Sequence, residues 1–326
     1  MKITSSLLLI VLLIGILQLT SHSQPKSSKI IKTLIIDGQN NHVQWPKITY
    51  MMKQYLEETG LFKVDVSRTY YTWEGDEYIT QYPIEGLPAT QALKKPRMDS
   101  SYRPKFANYD LVVCNFGWNA APWSDATQGD FEDFIKKGGG LVVVHAANNS
   151  FPMWPAYNRM IGLGGWGDRT EKDGPYVYYD ESGKLIKDMQ PGRAGSHGAQ
   201  KEFLITVRSP KHPIMKGMPL RWMHSQDELY DRLRGPAEEM EVLATAFSPK
   251  DNRGTDRHEP MMMALKYGKG KIFHTALGHA DYSVECVGFI TCLQRGAQWA
   301  ATGKVTIPIP ADFPTETKSS QRKFGR

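Results

Sequence analysis

Four apolar runs in this chain stop abruptly at polar, chemically capable residues. Leu34-Ile35-Ile36 meets Asp37-Gly38-Gln39-Asn40-Asn41-His42, and Leu111-Val112-Val113 leads to Asn115. Leu141-Val142-Val143-Val144 runs into His145, and Ile272-Phe273 runs into His274 and His279. Short uninterrupted apolar runs suit strands buried on both faces, as in a parallel sheet, and in open α/β sheets ligands bind beyond the carboxyl ends of the strands. Between the runs lie helical patterns at residues 46–58, opened by an early proline, and 128–137, closed by Gly138-Gly139-Gly140. A further helix is expected over 284–301. The alternation predicts an α/β fold with a doubly wound, mostly parallel sheet. Residues 261–266 and 271–275 read as a hairpin around Gly268-Lys269-Gly270. Residues 70–104 and 151–198 lose all period, and the second stretch is expected to be a loop-rich insertion over the strand ends.

The chain opens with Met1-Lys2, an apolar stretch and small residues, the order of a secretory signal peptide over residues 1–23. An uncleaved anchor is the alternative, although the stretch is short for a span of about 20 residues. The expected organisation is therefore a signal peptide (1–23), a leader (24–30), one domain (31–304) and a basic tail (305–326) expected to be solvated. Export to a periplasm or out of the cell follows, with no stable membrane insertion after cleavage. The net charge is +6, but apart from the tail the basic residues are scattered, so no nucleic-acid footprint is present. Cys114, Cys286 and Cys292 form no disulfide framework and are expected to be buried thiols. The sequence leaves the oligomeric state open.

The residues at the strand ends are the site candidates. His145 is either a polar plug or a group facing the crevice, and Asn148 just after it would stand beside a ligand. His224 and Glu228 would share a face if their segment were a short helix, with Asp227 pointing elsewhere as a cap. Gly278 permits a tight turn that would present His279 and Asp281. His274, inside its strand, reads as a core histidine, and His212 and His258 as loop residues. Asn40, Asn41 and His42 could bond sugar hydroxyls, and Trp118 and Trp166 could be flat platforms or ordinary packing. His145, His197, His224, Glu228 and His279 carry donors suited to a divalent metal such as zinc, although no short ligand pair of the H-E-x-x-H kind occurs.

Several segments together resemble the ThuA-like, or trehalose-utilisation, family across residues 31–304. They are residues 34–42, GGLVVVHAANNS at 139–150, residues 154–166, Ser196-His197, Asp227-Glu228-Leu229-Tyr230 and YGKGKIFHTALGH at 267–279. The resemblance implies a fold like that of the flavodoxins and class I glutamine amidotransferases, and it makes His197 a site candidate. At the place of the amidotransferase nucleophile this chain has His145-Ala146-Ala147. Thiolate chemistry needs a cysteine there, so glutamine hydrolysis is disfavoured.

The resemblance further implies a sugar substrate, suggesting a 3-keto-disaccharide such as 3-keto-trehalose. A ketone at C3 acidifies the C2 proton, so elimination of the C1 substituent followed by hydration would give net cleavage. His145 or Glu228 would be the base and His279 the acid or electrophilic partner, while Asn40, His42 and Trp118 would position the sugar. Two alternatives stay open: a non-catalytic sugar-binding module, and a metal-dependent hydrolase of another small substrate.

Overall fold

A computed structural model describes residues 29–325. The expected signal peptide (1–23) and nearly all of the expected leader lie outside the described residues. In chain order the elements are β1 (Ile31–Gln39), α1 (Trp45–Glu57), β2 (Phe62–Trp73), α2 (Asp76–Gln81), β3 (Gln91–Leu93), β4 (Leu111–Cys114), α3 (Asp125–Lys136) and β5 (Gly140–Val144). Then come α4 (Pro155–Ile161), β6 (Tyr176–Tyr179), β7 (Leu185–Asp188), β8 (Ser196–His197), β9 (Lys201–Val207), β10 (Arg221–Asp227) and β11 (Tyr230–Asp231). β12 (Met240–Ser248), β13 (Arg257–Tyr267), β14 (Gly270–Thr275), α5 (Asp281–Val284) and α6 (Val287–Thr302) complete the chain.

The main sheet runs β10-β9-β12-β13-β14-β5-β4-β1-β2-β3. From β14 to β3 every pairing is parallel, which is the doubly wound block expected from the apolar runs. β4 and β5 are buried along their whole length, because both faces are covered. The faces can be told apart at the end of β4, where successive side chains point oppositely. Cys114 Sγ meets Tyr157 Oη of α4 at 3.4 Å, whereas Asn115 Nδ2 donates to Thr49 Oγ1 of α1 at 2.9 Å. α6 lies on the α1 side, packed on β5 and β14. Helix α3 starts where Ser124 Oγ accepts the Thr127 N–H, with Asp125 in its first turn and Lys136 in its last, as capping and the helix dipole favour.

Beyond β14 the sheet continues antiparallel through β13, β12, β9 and β10, and β13–β14 is the expected hairpin. With alternate strands reversed, β10 points the same way as β14, so its carboxyl end reaches the same rim. It curls back to it: Ser283 Oγ of α5 donates to the Gln226 carbonyl at 2.8 Å. The 151–198 excursion forms α4 and the β6–β7 hairpin, and the buried Arg169 ties it to the strand ends by donating to the carbonyls of Gly165 and Ser150.

Two expectations are corrected. The tail is not simply solvated, since the Met223 N–H donates to the Thr315 carbonyl, that of Val287 to Ser320, and that of Arg322 to Glu285. The short helix on which His224 and Glu228 would share a face does not form: Trp222 and His224 pair with β9 as part of strand β10. All three cysteines are free and buried, and Cys286 precedes α6 while Cys292 lies within it.

Candidate functional site

After Val144 the chain turns at once into the 3₁₀ turn His145–Asn149, and His145 takes a φ of 45°. Positive φ is uncommon for a residue with a Cβ, and such strain gathers at functional sites. His145 Nδ1 stands 2.7 Å from the Ala276 carbonyl oxygen. A carbonyl only accepts, so Nδ1 carries the proton and Nε2 keeps its lone pair. That Nε2 is buried and has no hydrogen-bond partner.

His42, on the loop after β1, is fixed the same way. Asn40 Oδ1 accepts its backbone N–H at 3.0 Å and faces its Nδ1 at 3.1 Å, so Nε2 is again the free nitrogen. His279 follows Gly278, whose φ of 111° allows the turn out of β14. Buried Asp227 accepts the N–H groups of Gly278, His279 and Glu228 at 2.8, 3.0 and 2.8 Å. One carboxylate thus sets the loops that carry both Glu228 and His279.

These loops bring His42, His145, Glu228 and His279 together, with one donor atom from each lying within 4.8 Å of the others. Glu228 Oε2 is 3.0 Å from His279 Nδ1 and 3.9 Å from His145 Nε2. Burial pushes the His145 imidazole down to about 4, and burial with the nearby His145 and His279 holds His42 well below the usual range. Both rings are therefore neutral near pH 7. Burial alone would raise the Glu228 carboxyl, but His279, His145 and His197 pull it down to about 2. Neutral imidazoles with one nitrogen tied and the other free, beside an ionised carboxylate, are the donor set of a zinc-type cation. Bonds of about 2.0–2.2 Å require only small inward movements of such donors.

The cluster floors a cleft of about 440 Å³. Trp118, 42% exposed, and the half-buried Trp166 form walls, and the Tyr230 ring packs tilted against the His145 ring with centroids 4.2 Å apart. His197 stands at the mouth, its Nδ1 2.8 Å from the Gly198 carbonyl and 3.6 Å from Glu228 Oε1. Of the expected residues, His145, Glu228, His279, His42, His197, Trp118 and Trp166 meet here.

Four others do not. Asn40 is buried and bonds the carbonyls of Asn115 and Phe116, so it shapes the His42 loop and cannot reach a sugar. Asn148 is buried against His274 Nε2 at 3.1 Å. Asp281 starts α5 and pairs with Lys47 at 2.6 Å. His224, offered as a metal donor, is fully buried in β10 and bonds Asp227 at 2.8 Å, away from the cluster. His274 is a core histidine, with Nδ1 donating to the Ile161 carbonyl.

The reading by sequence missed Asn149 and Tyr230. Asn149 lines the cleft and its Oδ1 is buried without a partner, while its neighbour Asn148 faces the core. Only the tight turn decides which of the two buried amides borders the cleft. Asn148→Ala is expected to cost about 1–3 kcal/mol, because it leaves His274 Nε2 unsatisfied, and to leave ligand affinity unchanged. Asn149→Ala should do the reverse. Chemical denaturation and a binding titration on both variants check this.

An α/β sheet with its polar residues at the strand ends, and a histidine at the sharp turn where class I glutamine amidotransferases carry their cysteine, defines an amidotransferase-like scaffold without the thiol nucleophile. The family model described as trehalose utilisation, ThuA, matches residues 91–300. The chain belongs to the ThuA family. It is similar to the solved structure of a ThuA-like protein from Parabacteroides merdae, with 42% identity and a TM-score of 0.79, covering 90% of this chain and 98% of the other. A ThuA-like protein from Bacteroides uniformis shares the fold at 18% identity and a TM-score of 0.54, covering 87% and 96%. No curated protein matches the chain. Membership places the protein among carbohydrate proteins related to trehalose utilisation. Among the described residues no helix is long and apolar enough to cross a membrane.

Proposed function

We propose that this is an exported enzyme that cleaves a 3-keto-glycoside, such as 3-keto-trehalose, by elimination and hydration. The observation that carries the proposal is the convergence of three histidines and Glu228 beneath a tryptophan-walled cleft. Glu228 is the one carboxylate lining that cleft, among the described residues. An ordinary glycosidase uses two flanking carboxylates, so a different route is favoured.

The donors His42, His145, Glu228 and His279 would hold a divalent cation such as zinc, which supplies Lewis-acid stabilisation to a ketone oxygen and its enolate. That role leaves His145, held at about 4, and Glu228, at about 2, as weak bases near neutral pH. His197, half-buried at the mouth and outside the donor set, is placed to act as the base. It takes the C2 proton; the C1–O bond breaks with its electron pair going to oxygen, and the imidazolium returns the proton to that oxygen. Water then adds across C1=C2, hydroxyl to C1 and proton to C2. Net hydrolysis results, with no redox change. Trp118 and Trp166 would flank the pyranose ring.

The test incubates mature protein with trehalose and with 3-keto-trehalose, with and without a chelator, and follows free glucose. Release from the keto-sugar alone, lost on chelation and restored by Zn²⁺, is the expected result. No release from either sugar, with saturable sugar binding, would establish the binding-module reading instead.

A further inference from the structure

A second cleft of about 290 Å³ opens beside the first and shares Trp118 and Asn149 with it. Its character is different. The shared residues separate a polar chamber with the His/Glu cluster from a chamber built of Ala120, Pro122, Phe151, Pro152, Met153 and Trp154. Few hydrogen-bonding groups face it. They are Gln128, whose Nε2 donates to the Trp123 carbonyl at 2.9 Å, Asn119 and the shared Asn149. Met153, 90% exposed, stands at its edge.

We infer that this cleft is a binding subsite for the group on the far side of the glycosidic bond, and that it prefers a flat apolar aglycone, such as an aryl ring, to a second sugar. The inference rests on a glycoside occupying the main cleft as proposed above. A second pyranose would lose the water bonded to its hydroxyls and find almost no partners, which is costly. An aromatic ring needs none. It would lie against Trp118 and among Phe151, Pro152 and Met153, where stacking and burial favour it. The backbone supports a built feature: Phe151, which lines this cleft, also has a positive φ, 47°, just as His145 has below the first.

The test uses unoxidised ligands, so it does not depend on turnover. Phenyl α-D-glucoside, trehalose and glucose are titrated against the protein by tryptophan fluorescence, and again against Met153→Asp, whose exposed position makes the change safe for folding. Phenyl glucoside is expected to bind about tenfold more tightly than trehalose, the discrimination that one or two apolar groups give in such a pocket. Met153→Asp should shrink that advantage and leave glucose binding unchanged. Equal or tighter binding of trehalose, or an aryl preference untouched by Met153→Asp, would overturn the inference. Aryl preference with no cleavage of any 3-keto-glycoside would sink the catalytic reading and leave this one standing; cleavage without aryl preference would do the opposite.

Discussion

His145→Ala is expected to lower bound Zn²⁺ and 3-keto-trehalose cleavage together, each by at least about a hundredfold, while the protein stays folded. The loss exceeds that for outer partners of a metal, about 10–100-fold, because the substitution removes a donor itself. The fold should tolerate it because the ring makes one hydrogen bond, to Ala276, and its other nitrogen has none to lose. Metal stoichiometry by elemental analysis and circular dichroism on the same sample check both halves. Unfolding would point to a core plug; wild-type metal content would remove His145 from the donor set. The same geometry predicts an acid-tolerant site. Ligating imidazoles must be neutral, and burial already holds His145 at about 4 and His42 well below the usual range, so added Zn²⁺ should stay bound below pH 6.

Asp227→Asn should destabilise the fold by about 3–5 kcal/mol, the cost of breaking a buried ion pair by removing one partner. Asp227 is fully buried and bonded to His224 and three backbone N–H groups. Burial opposes the charge on His224, yet the Cys286 thiol and Asp227 hold its pKa above the ordinary imidazole range. Burial likewise opposes ionisation of Asp227, but His224, His145 and the Gly278 N–H hold it below the ordinary carboxylate range. The folded His224 binds its proton more tightly than the unfolded one. Its contribution is therefore complete below about pH 6.5 and is lost as pH rises through the raised value. The Asp227 contribution is present above about pH 3.9 and is lost as pH falls. Urea denaturation from pH 4 to 10 should show wild-type stability falling on the alkaline side, with that slope flattened in Asp227→Asn. Parallel slopes in the two proteins would mean that the pair carries no net charge coupling.

The sheet was legible because burial on both faces leaves an uninterrupted apolar signature, as in Leu111-Val112-Val113 and Leu141-Val142-Val143-Val144. The strand ends were legible for the same reason, and His145, Glu228 and His279 were each singled out. The role of His42 was not. It was read as a sugar contact, because nothing in its local sequence says that its loop folds toward residues more than a hundred positions away. Neighbouring amides were exchanged as well: Asn148 and Asn149 differ only in which side of a 3₁₀ turn they take, and no periodicity exists over five residues. The segment carrying His224 and Glu228 stays open in the sequence, because a helix and a strand can both pair His224 with an acidic residue. Here the acidic partner is Asp227, and the pairing with β9 decides between them.

The donors come from four loops spread over most of the described chain, each hung from a different strand. No short peptide excised from this protein contains the site, so it cannot be grafted onto another scaffold as a motif. It should instead survive circular permutation at an exposed turn remote from the rim, since the cluster depends on which strands lie side by side and not on the order in which they are joined. Chemistry in this molecule is a property of the assembled sheet, and it is inherited all at once or not at all.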